Sequence, residues 1–112
     1  MLDPLAAKLE HYMDLLSARQ KLVASNIANA DTPGYKTQDI DFQTEFANAT
    51  FGGPANTTEV SGLTVRNDGN NVSIDREARL LAENALRFSI ATNLMRDQIR
   101  SVKQAIEEGK SG

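Results

Sequence analysis

Few residues in this 112-residue chain could do chemistry. There is one histidine, His11, and no cysteine, so thiolate nucleophiles, disulfides and cysteine metal sites are excluded, and one chain cannot supply a histidine pair. His11 lies on a helical stretch away from its apolar stripe and reads as a solvated surface residue. Asp39-Ile40-Asp41 sets two carboxylates close enough to touch a cation, but the further oxygen ligands and the loop glycine of a calcium-binding loop are missing. The pair therefore reads as surface acid, and Asp68-Gly69-Asn70-Asn71 reads as a turn. No glycine-rich phosphate loop follows a strand pattern. These residues predict no catalytic site, no metal and no cofactor, and point to a protein that acts by packing.

The elements that do the packing lie at the two ends. Apolar side chains gather in residues 2–30 and 78–106, whereas the stretch between is rich in Asn, Thr, Gly and Ser. A net charge of −3 and a pI near 5.1 leave no basic excess for phosphates, which argues against a nucleic-acid partner. The acidity is concentrated in the middle, where Arg66 stands against five acids in residues 37–74. There is no run of about 18 apolar residues and no basic segment leading into an apolar one, so neither a spanning helix nor a cleaved secretory signal is expected.

Asp3 followed by Pro4 predicts a helix N-cap and first turn. Leu2, Leu5, Leu9, Tyr12, Leu16, Val23 and Ala30 recur at helical spacing, interrupted by the polar Arg19 and Asn26 in two seam positions. Thr32-Pro33-Gly34 stops this helix, which is placed at residues 1–30. The C-terminal pattern is longer: Ala78, Leu81, Ala85, Phe88, Thr92, Met95, Ile99, Val102 and Ile106 recur at alternating steps of three and four. It predicts a coiled-coil-like helix over 75–108, capped by Asp75 and closed by Gly109. A second apolar row, Leu86, Ile90 and Leu94, lies on the opposite side of this helix from Phe88. It offers a face to another element or another subunit.

The expectation is thus a mainly α, single rod-type domain over residues 1–112: two long terminal helices in an antiparallel coiled-coil-like hairpin, joined by an irregular segment over 31–74. Ile40, Phe42, Phe46 and Phe51 are its anchors. Thr58–Val60, then Leu63–Arg66, a turn at 67–70 and Val72–Ile74 could form a small β-hairpin, expected to be mobile unless it docks.

The segment Ala24-Ser25-Asn26-Ile27-Ala28-Asn29-Ala30-Asp31-Thr32-Pro33-Gly34-Tyr35-Lys36 resembles the signature of the bacterial flagellar rod, hook and hook-junction proteins, in which a helix ends in Asn-Ile-Ala-Asn before a Thr-Pro-Gly-Tyr turn. Asp39-Ile40-Asp41-Phe42 and Glu83-Asn84-Ala85-Leu86-Arg87-Phe88 extend the likeness toward the basal-body rod members, and the short length agrees. At position 88 the family usually has tyrosine, so a polar contact there is not assumed. The resemblance implies a structural subunit of the proximal rod that polymerises helically with itself and other rod proteins and meets the MS-ring/rod adaptor proteins. It further implies passage through the flagellar type III export apparatus without a cleaved signal, toward a rod that spans the periplasm. On that reading Asn26, Ile27, Asn29, Thr32, Pro33, Gly34 and Tyr35 form a helix-end joint, Leu86, Phe88, Ile90 and Leu94 pack subunits, and Phe42 and Phe46 match the Phe-x-x-x-hydrophobic element that engages the export gate. The alternative of a different class is a soluble helical adaptor or export chaperone using the same apolar seam.

Overall fold

A computed structural model describes residues 4–48 and 55–111. The chain order is α1 (Pro4–Ala28), β1 (Gln38–Ile40), α2 (Phe42–Ala47), β2 (Thr57–Glu59) and α3 (Ile74–Ser111). The expected Asp3 cap, Leu2 and the Phe51 anchor lie outside the described residues.

The helices α1 and α3 pack antiparallel: Asn26 meets Glu77, Gln20 meets Asn84, and Leu5 and Leu9 line one groove with Ile90 and Leu94. At 1.5 Å per residue the 38 residues of α3 span about 57 Å, much further than α1. The molecule is consequently a rod, with extents of 71 × 25 × 18 Å. α1 buries Ala6, Leu9, Leu15, Leu16, Val23 and Asn26, close to the stripe read from its sequence.

On α3 the packing face differs from the expected one. Glu77, Leu80, Asn84 and Ala91 are buried, whereas Leu81 and Phe88 are 41% and 42% exposed. The face turned to α1 lies about one residue, or 100°, from the row at 81, 85 and 88. Polar Glu77 and Asn84 occupy it because α1 presents polar Asn26 and Gln20 opposite them. Both apolar rows of α3 therefore flank the intrachain seam.

Helix ends differ too. Ser73 caps α3, its Oγ accepting from the Arg76 amide at 3.2 Å, so Asp75 sits inside the first turn, where its charge favours the helix dipole. Gly109 lies within α3 and does not close it.

The small sheet is antiparallel, with Gln38 opposite Glu59 and Ile40 opposite Thr57. It is thus built from 38–40 and 57–59: the expected segment at 58–60 overlaps β2 but pairs with β1, and the pairing of 63–66 with 72–74 does not form. The turn at 66–69 is present, with the Gly69 amide donating to Arg66 O at 2.9 Å, but the chain leaving it pairs elsewhere: the Asn71 amide donates to Tyr35 O and the Gly34 amide to Asp68 O. Docking against the end of α1 satisfies these backbone groups better than an isolated hairpin would.

Candidate functional site

The chain turns away from α1 through a junction built largely of polar side chains. Asn29 bonds back to Ser25 O at 2.8 Å, and Thr32 Oγ1 donates to Asn29 Oδ1 at 3.0 Å. Gly34 then adopts φ +75, a left-handed conformation suited to glycine. The carbonyls of Asn29 and Thr32 are capped from far along the chain by Asn70 Nδ2, at 2.9 and 2.8 Å. Asn70 is fully buried, and its own Oδ1 accepts from the Val72 amide. Asn71 Oδ1 accepts from the Thr37 amide at 2.7 Å. Gly69, with φ +86, passes so near Gly34 that a Cβ on it would lie 3.3 Å from the Gly34 Cα. Two glycines meet where two turns cross.

One level deeper, Asn26 joins three segments. Its Nδ2 donates to Gln38 O and to Glu77 Oε1, and its Oδ1 accepts from the Gln38 amide and the Tyr35 hydroxyl. Glu77 Oε2 accepts from Arg76, which also donates to Asp39 at 2.6 Å. Arg19 grips the same carboxylate with two bonds of 3.0 and 2.9 Å. Burial alone would raise the Asp39 pKa, but the two guanidiniums and the Ile40 amide outweigh it and hold the carboxyl below its ordinary 3.8. Asp39 is thus no surface acid. It ties β1 to both long helices, while Asp41 is exposed and caps α2 through the Thr44 amide.

The signature residues occupy this junction unequally. Asn26, Asn29, Thr32, Gly34 and Tyr35 carry its bonds, whereas Ile27 is 39% exposed and Pro33 faces solvent. Sequence reasoning missed Arg76, Glu77, Asn70 and Asn71. The available signal was in α1: Arg19 and Asn26 broke an apolar seam, which asks for polar partners inside the fold.

Phe42 and Phe46, one helical turn apart on α2, fold onto α1. Tyr12 meets both rings edge-on, with centroids 5.3 and 5.6 Å apart, and Arg19 lies over Phe42. His11 is no free surface residue either: it stacks on Phe46 and its Nε2 lies 3.2 Å from Glu45 O. Leu86, Ile90 and Leu94 are exposed on the flank of α3, and with Leu5, Leu9 and Tyr12 the last two line an apolar groove edged by Lys8 and Arg87. A second groove, on the other flank, runs between Leu16 and Gln20 of α1 and Leu81, Ala85 and Phe88 of α3. Among the described residues no acidic or histidine cluster could hold a metal, and no helix is long and apolar enough to cross a membrane.

The model for flagella basal body rod proteins matches residues 13–36, covering the second half of α1 and the turn that follows. The chain is 31% identical to the flagellar basal body rod protein FlgB of Escherichia coli K12, across 97% of this chain and 99% of that protein. It is 31% identical to FlgB of Borrelia hermsii, over 86% and 90% of the two chains, and 36% identical to FlgB of Cereibacter sphaeroides, over 83% and 86%.

The chain belongs to the flagellar basal body rod protein family. As a rod protein it is a structural subunit of the flagellar basal body. The alignment with the Escherichia coli relative spans 138 positions, more than this rod protein has residues, so that relative carries additional residues within the aligned span.

Proposed function

We propose that this subunit is built into the proximal rod as a packing unit, its α1/α3 hairpin lying against copies of itself and neighbouring rod proteins, and that the rod so formed transmits torque. The observation that carries this reading is the pair of exposed apolar rows on α3, which flank the intrachain seam instead of closing it. Each row needs a different neighbour. Contacts between unlike patches do not close on themselves and propagate an assembly helically.

On this reading the junction around Asn26, Ile27, Asn29, Thr32, Pro33, Gly34 and Tyr35 is a joint that sets the angle at which the middle segment leaves the hairpin. Its partners are other rod proteins, the MS-ring/rod adaptor proteins at the base, and the type III export apparatus, which carries the uncleaved chain to the periplasm-spanning rod. Phe42 and Phe46 would serve at the gate in the unfolded chain and dock on Tyr12 after folding.

Ile90→Glu tests the proposal, because Ile90 is 52% exposed and its replacement leaves the intrachain seam untouched. The expected result is normal production with loss of the subunit from isolated basal bodies and loss of swimming. Normal swimming would overturn it, and residence of the unsubstituted chain in the cytosol at fixed low stoichiometry would favour an adaptor or export chaperone.

A further inference from the structure

We infer that Asp68-Gly69 is a site of spontaneous isoaspartate formation that the folded junction suppresses, and that a chain modified there can no longer close the crossing of Gly34 and Gly69. The reaction belongs to the chain before it folds and is separate from its packing in the rod.

Asp68 is the only aspartate or asparagine in the chain that is followed by glycine. An aspartyl carboxyl and the amide nitrogen of the next residue can close a five-membered ring, and glycine, with no Cβ, obstructs that approach least. The Gly69 nitrogen forms a bond to Asp68 Cγ and gives up its proton, the Cγ–O bond breaks, and water leaves, giving a succinimide. Water then opens the ring at either carbonyl. Attack at Cγ restores aspartate, and attack at the main-chain carbon leaves an isoaspartyl link in which the chain runs through Asp68 Cβ and Cγ. One water is lost and one regained, so mass and charge are unchanged and no other reactant enters.

In the folded chain both reacting groups are held. The Gly69 amide donates to Arg66 O at 2.9 Å, and Asp68 Oδ1 accepts from the Asn70 amide at 2.9 Å. The turn around them is fastened as well: the Gly34 amide donates to Asp68 O, the Arg66 amide to Asn70 O and Lys36 Nζ to Gly69 O. Asp68 itself is exposed, so these bonds, and not burial, oppose the reaction. Ring closure must wait for the turn to open, as amide exchange does.

The product does not fit the crossing. An isoaspartyl link adds one carbon to the main chain between Asp68 and Gly69 and moves the carbonyl that accepts from Gly34 onto a side branch. At this point even a Cβ on Gly69 would lie 3.3 Å from the Gly34 Cα. A longer main chain has no room there, and the junction of an isomerised subunit stays loose.

The test holds the full chain at neutral pH for days, in buffer and in urea. Isoaspartate is read by enzymatic methyl labelling and placed by peptide mapping. The expected result is labelling at residue 68 in urea and a lower rate in buffer, the ratio of the two matching the hydrogen-exchange protection of the Gly69 amide. Gly69→Ala should slow the labelling in urea and Asp68→Glu should abolish it, in a solvent where their effects on folding do not count. No labelling at residue 68 in urea would overturn the site. A rate in buffer that does not follow the protection of the Gly69 amide would overturn the suppression. Isomerised chains, separated and returned to buffer, should exchange the Gly34 and Asn71 amides faster than unmodified chains, and equal protection would overturn the effect on the crossing.

Discussion

Asn26 donates a hydrogen bond to Glu77 across the helix hairpin, and the two side chains, 51 residues apart in sequence, are 1% and 0% exposed. The bond fixes the register of α1 against α3 by a polar contact where the apolar pattern alone would allow sliding. Substituting Asn26→Ala strips a buried carboxylate of a donor and leaves the Gln38 backbone unpaired. The expected cost is about 3 kcal/mol in urea unfolding, and Asn26→Asp should do at least as much harm by setting a second acid against Glu77.

Asp39 gives the fold an acid-sensitive component. A carboxyl held below its ordinary value in the folded state contributes stability that is fully present above 3.8 and is lost as the pH falls through the lower, folded-state value. Asp39→Asn should remove that acid-dependent loss. It should also lower stability at neutral pH by about 3 kcal/mol, since Arg19 loses its carboxylate and Arg76 keeps only the bond to Glu77. Urea titrations at neutral and acid pH would check both.

The crossing of Gly34 and Gly69 predicts a local failure. Gly69→Ala adds a methyl at a positive φ, against backbone 3.3 Å away, at an expected cost of about 2 kcal/mol. The amides of Asn71 and Gly34, bonded across the crossing, should lose hydrogen-exchange protection before those in the middle of α1 do.

The proposed export role of Phe42 and Phe46 can be separated from their packing. Phe46→Leu forfeits two ring contacts of about 0.5–1.5 kcal/mol each but keeps a hydrophobic side chain in the proposed gate element. It should lower stability and leave export rate unchanged. Phe42→Ala should reduce export in pulse-chase fractionation by far more than its effect on stability.

The helices were legible because their apolar residues recur at steps of three and four, and a helix is the structure with that period. The side of α3 that meets α1 was not. A hydrophobic pattern selects the most apolar row, Leu81, Ala85 and Phe88, whereas the true seam passes through Glu77 and Asn84, chosen by polar partners on another helix. The signature turn was likewise legible at Thr32-Pro33-Gly34, but its long-range anchor was not, because nothing near Asn29 in sequence announces that Asn70 will add a second donor to its carbonyl. The small sheet was displaced for a related reason: the local turn signals at 67–70 do produce a turn closed by Arg66, but beyond it the Asn71 amide bonds Tyr35 O and the Asn71 side chain bonds the Thr37 amide, so the chain docks at the end of α1 and does not extend a hairpin.

Asn70 also sets an order of events. The carbonyls of Asn29 and Thr32 already accept from the Thr32 and Tyr35 amides within the turn, and Asn70, 41 and 38 residues later, adds a second donor to each. In a chain that leaves a ribosome N-terminus first, the turn after α1 can therefore form on its own bonds, and it is fastened to the later chain only once residue 70 has emerged. Glu77, close behind, can then reach Asn26. The bend is local, and its anchoring is left to the second half of the sequence.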